Sequence, residues 1–192
     1  MDYTFNFWLA VIIIFALGSL FHFVYDWSHQ NKIVGLFGAV NESTWEHVKI
    51  ALTATFLWSF YDGFFYGAMP NYFFAKLFCL LTIVIAIPLI FYVYQAITKK
   101  DILLLDIATF FIAILFSQLV FYVILTLPSQ PFAINYLACI GVFIFFGCYM
   151  TLTLEPIKNF LFKDPITGKY GFYAHRNLKH KIKNRKKSTK KS

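Results

Sequence analysis

Charge is what this sequence has least of. Only 14% of its 192 residues are Asp, Glu, Lys or Arg, against roughly 25% in a soluble domain. That excludes an ordinary water-soluble fold, and 59% hydrophobic content excludes a disordered chain. Cysteine is scarce as well. Cys79, Cys139 and Cys148 all fall in apolar runs, without CxxC or Cys/His metal spacing, so buried, unreactive thiols are expected. There is no nucleophile elbow, Walker loop, dinucleotide fingerprint or HExxH. No internal repeat supports an inverted-repeat transporter. Asp2 is the only charge before the first apolar run, where an export signal would be basic, so an uncleaved first helix is expected.

What is present is apolar length. Five runs reach the ~20 residues that a helix needs to cross a bilayer: residues 5–25, 48–69, 72–97, 102–127 and 132–154. The expected fold is an all-α integral membrane protein of five transmembrane helices. Residues 1–157 form its transmembrane domain and 158–192 a basic cytoplasmic tail. That tail holds twelve Lys/Arg and one acid, whereas the remainder holds five basic residues and eight acids. A cytoplasmic tail places the N-terminus outside, and the Lys99-Lys100 loop then falls inside, as the positive-inside rule asks. His175–Lys191 is expected on anionic lipid headgroups rather than on nucleic acid.

Between the first two runs, residues 33–40 are apolar but too short to span. Two readings stay open: an interfacial or re-entrant segment, with Gly35 and Gly38 permitting a tight path, or an ordinary greasy loop on the helices.

Ionisable groups in a membrane are costly, so their positions carry information. His22, Asp26 and His29 follow an i, i+4, i+7 pattern, one helix face if the first helix continues past Trp27. Glu42, Glu46 and His47 cluster before the second run, where Ser43-Thr44-Trp45-Glu46 reads as a capping box. Asp106 and Glu155 fall at the same expected depth. Helix ends collect charge for structural reasons too, which is the plain alternative for all of them. Asp62, deep in the second run, precedes a GxxxG at Gly63–Gly67; Gln118, Ser117 or Tyr61 are its expected partners.

Three mechanisms fit. The first is a metal-dependent hydrolase at the cytoplasmic interface, acting on a lipid-like substrate. His22, His29, His47 and Asp26 would hold a Zn²⁺-like divalent ion, with Glu42 or Glu46 as general base. No two of these histidines stand at i, i+3 or i, i+4, so the ligands must come from separate segments. The second is a proton- or cation-coupled transporter or transporter subunit, using Asp62 and Asp106 as relay and requiring a homo-oligomer or partner membrane subunit. The third is a non-catalytic membrane assembly factor.

The stretches Leu20-Phe21-His22-Phe23-Val24-Tyr25-Asp26-Trp27-Ser28, Val34-Gly35-Leu36-Phe37 and Val40-Asn41-Glu42-Ser43-Thr44-Trp45-Glu46-His47-Val48-Lys49 resemble a family of small multi-pass bacterial membrane proteins known only as a domain of unknown function. Phe162-Lys163-Asp164-Pro165-Ile166-Thr167-Gly168-Lys169-Tyr170-Gly171 extends the likeness into the tail. The resemblance implies a bacterial cytoplasmic-membrane protein and brings no activity with it.

Overall fold

The long apolar runs fold as helices in the computed structural model, which describes residues 2–174. The helices are α1 Tyr3–Trp27, α2 Lys32–Gly35, α3 Thr44–Tyr66, α4 Tyr72–Thr98, α5 Leu103–Leu125 and α6 Phe132–Leu154. No strand occurs among the described residues beyond one isolated bridge, Lys163 to Tyr170. The basic cluster at 175–191 lies outside the described residues.

Four of the helices, α1, α4, α5 and α6, are long and apolar enough to cross a membrane. The fifth long helix, α3, has the length but not the composition, and the packing explains why. From Thr44 to Thr55 every residue except His47 is buried, on all sides of the helix. Its polar side chains therefore face protein, leaving the apolar surface to the other four helices and to the second half of α3. That surface is large: Ile12, Phe60, Phe64, Ile85 and Phe143 are all more than half exposed. Such a surface suits contact with lipid and would drive aggregation in water.

Residues 28–43 form a folded loop against α1 and α3. Ala39 N–H donates to the Phe21 carbonyl, Lys49 Nζ to Gly35 O at 2.8 Å and Thr53 Oγ1 to Phe37 O at 3.1 Å. Since Thr53 lies nine residues into α3, the loop reaches about 13 Å along that helix from its start. Gly38 allows the approach: a Cβ there would stand 2.5 Å from Val24 Cγ2 and 3.0 Å from the Phe21 carbonyl oxygen.

Residues 158–174 do not run free. Trp45 N–H donates to Leu161 O, Trp45 stacks on Phe162 at 4.7 Å, and Asn41 Nδ2 donates to Gly171 O. This stretch straps the start of α3.

Candidate functional site

Successive helices alternate direction, so the end of α1, the start of α3, the end of α4 and the start of α5 meet at one end of the bundle. His22 comes from the penultimate turn of α1, Glu42 from the loop, His47 from the first turn of α3 and Asp106 from the first turn of α5. The ligand atoms of His22, Glu42 and His47 all lie within 4.8 Å of one another. His22 Nε2 stands 3.4 Å from Glu42 Oε2. Tetrahedral ligands ~2.1 Å from a zinc ion are about 3.4 Å apart, so this pair already has the spacing.

Two neighbours set the donor atoms. His47 Nδ1 lies 3.0 Å from the Ser43 carbonyl, one turn back. A carbonyl can only accept, so Nδ1 carries the proton, and a neutral ring then turns a bare Nε2 outward. Glu42 is fixed through its backbone, whose N–H donates to Asp164 Oδ1 at 3.2 Å. Asp106 lines the same cavities as His22 and His47 and accepts a hydrogen bond from Tyr94 OH.

His29 and Asp26 are not part of this group. The helix does not continue past Trp27: Ser28 caps α1, and His29 and Gln30 take φ of 56° and 65°, which removes His29 from the face of His22. Asp26, in the last turn of α1, is exposed. Glu46 lies close by but is buried, receiving Lys49 Nζ at 2.6 Å and the Val40 N–H at 2.9 Å. The expected capping box does not form. Ser43 is the N-cap, yet it makes no side-chain cap bond, and its own N–H goes to Asn41 Oδ1 at 2.8 Å. Asn41 thus takes the donor that Glu46 would have taken.

Asp62 is at the other end of the bundle, wholly buried. Its partners are Lys76 Nζ at 2.5 Å and Tyr72 OH at 2.6 Å, not Gln118, Ser117 or Tyr61. Gly63 makes room, since a Cβ there would meet that hydroxyl at 3.1 Å. The other glycine of the GxxxG, Gly67, caps the helix. Lys76 had a signal in the sequence, as a lone cation near the start of a long apolar run.

These observations define a helical bundle with an apolar exterior and a His/His/Glu constellation at one end. The chain belongs to the Family of unknown function (DUF6512), which it matches over residues 3–172. Comparison with curated proteins and with solved structures gives no match.

Proposed function

We propose that this protein is a five-span enzyme of the bacterial cytoplasmic membrane, N-terminus outside, with a divalent-metal hydrolase site at the cytoplasmic end of the bundle. The observation that carries the reading is the convergence of His22, Glu42 and His47 from three separate segments within one ion's reach. Two imidazoles and one carboxylate are a donor set used by catalytic zinc, which keeps a further position for water. A bound ion supplies that water at lowered pKa and polarises the carbonyl to be cleaved.

The residues then divide the work. His22, His47 and Glu42 hold the ion. Asp106, hydrogen-bonded to Tyr94 and facing the same cavity, takes the proton from the attacking water and returns it to the leaving group. Glu46, the other carboxylate considered for that role, keeps Lys49 company instead. Proximity of the basic C-terminal stretch to anionic headgroups would hold this end of the bundle at the inner leaflet.

The test is chemical. Full-length protein in nanodiscs is stripped with chelator, given zinc or buffer, and supplied with an ester-bearing lipid extract. Zinc-dependent release of fatty acid, lost in Asp106→Asn with zinc still bound, is the expected result. Bound zinc without release from any ester lipid would contradict the hydrolase reading. A relay through Asp62 has less support, because Lys76 already neutralises that carboxylate inside the bundle.

A further inference from the structure

The His22–Glu42–His47 group stands between two cavities, both walled mainly by apolar side chains, of which one carries more polar groups. One, of about 330 Å³, lies toward α4, α5 and the C-terminal strap, and its wall includes Glu42, Thr44, Asp101, Asp106 and Thr109. The other, of about 340 Å³, lies between α1 and α5 and is walled by Phe15, Phe23, Ile50, Ile107 and Phe110. His22, His47 and Asp106 border both. Each is near the lower limit for a small-molecule site, and together they are well inside the range.

The second cavity is a slot along the seam between α1 and α5. At Gly18 the helices α1 and α5 come so close that a Cβ would stand 2.6 Å from Phe110 Cζ, and the Phe15 ring packs against Phe110 and Phe111. From Phe15 to Phe23 the slot runs about 12 Å at helical rise. Its outer rim, Phe23, Leu103 and Ile107, is 54%, 74% and 47% exposed on the apolar side of the bundle. A hydrocarbon chain can therefore enter sideways, from the lipid, without crossing a polar surface.

Charge decides what the chain is attached to. Among the described residues that line the two cavities there are three carboxylates, Glu42, Asp101 and Asp106, and no Lys or Arg. A phosphate or free carboxylate headgroup would meet like charge on several sides, with a single ion to offset it. An uncharged ester or amide carbonyl avoids that repulsion and can still be polarised at the group.

We infer that these two cavities hold one long-chain amphiphile, its uncharged ester or amide headgroup at His22, Glu42 and His47 and its chain in the slot between α1 and α5. The headgroup half rests on the metal site proposed above, whereas the chain half does not.

The experiment uses full-length protein in nanodiscs and a monoacylglycerol carrying a diazirine in its acyl chain. After photolysis the crosslinked peptides are mapped by mass spectrometry, and zinc is measured on the same samples. Labelling should concentrate on the peptides bearing Phe23 and Ile107. It should be displaced by unlabelled monoacylglycerol and not by lysophosphatidic acid of equal chain length. Ile107→Trp and Leu103→Trp, both on the exposed rim, should lower it about tenfold while zinc content holds. Labelling spread over all lipid-facing helices and indifferent to both substitutions would overturn the inference. Equal displacement by lysophosphatidic acid would overturn the uncharged headgroup. Concentrated labelling in protein that binds no zinc would remove the metal site and leave the chain slot supported.

Discussion

Asp164 accepts the backbone N–H of Glu42 at 3.2 Å, across 122 residues of sequence. Its other oxygen takes the N–H of Thr167 at 2.7 Å and that residue's hydroxyl, so both carboxylate oxygens are engaged. The C-terminal strap thereby sets where Glu42 sits, although Asp164 does not belong to the metal-binding group itself. Asp164→Ala should weaken zinc binding by about tenfold, as loss of a supporting contact does. Titration with a competing chelator measures it, and Asp164→Asn, which keeps an accepting oxygen, should recover most of the affinity.

Glu46 and Lys49 form a pair with essentially no solvent exposure, and each also holds the loop, through Val40 N–H and Gly35 O. Glu46→Ala strands a buried ammonium and should cost about 3–5 kcal/mol of stability. Thermal unfolding in detergent would show it, together with faster proteolysis between residues 28 and 43. A variant that loses activity at full stability would instead make Glu46 a catalytic group.

Asp62 and Lys76 make the corresponding pair at the opposite end. Asp62→Asn should be strongly destabilising because Lys76 keeps its charge without a partner. The double replacement Asp62→Leu with Lys76→Met should restore folding, since a buried pair is commonly exchangeable for apolar side chains of similar volume. Melting temperatures of the single and double variants decide this. A double variant as unstable as Asp62→Asn would show that the pair does more than neutralise itself.

Gly38 lies against the backbone of α1, where the carbonyl oxygen of Phe21 cannot move aside. Gly38→Ala should therefore cost about 1–3 kcal/mol and free the loop, which hydrogen exchange at Ala39 would report. Unchanged protection at Ala39 would mean that the loop is not held against α1 in this way.

How much of this was legible depends on the range of the interactions. Helix positions follow from apolar runs, which are local, and α6 coincides with the expected 132–154 while α1 begins two residues earlier than expected. The interior position of α3 was visible only indirectly, in Lys49, Thr53, Thr55 and Asp62 within the 48–69 run and Glu46 just before it. His22 and His47 could be named as candidate ligands from their depth. Glu42 is expected at the same site as a general base, but its place among the ligand atoms depends on the path of the 28–43 loop and on Asp164 far down the chain, which no local pattern reveals. His29 shares the face of His22 only if α1 continues past Trp27, and the backbone instead turns left-handed directly after Ser28. Lys76 is legible in the sequence: an ammonium in an apolar helix requires a buried anion, and Asp62 is the one it meets.

The central claim is that His22, Glu42 and His47 hold a metal ion, and metal content tests it most directly. Full-length protein, purified in detergent after growth with added zinc, manganese and iron, is analysed by mass spectrometry beside His22→Ala and His47→Ala. One equivalent of one metal per chain, lost in both variants while the helical signal is retained, is the predicted result. Well-folded wild-type protein that carries no metal, even after supplementation, would contradict it.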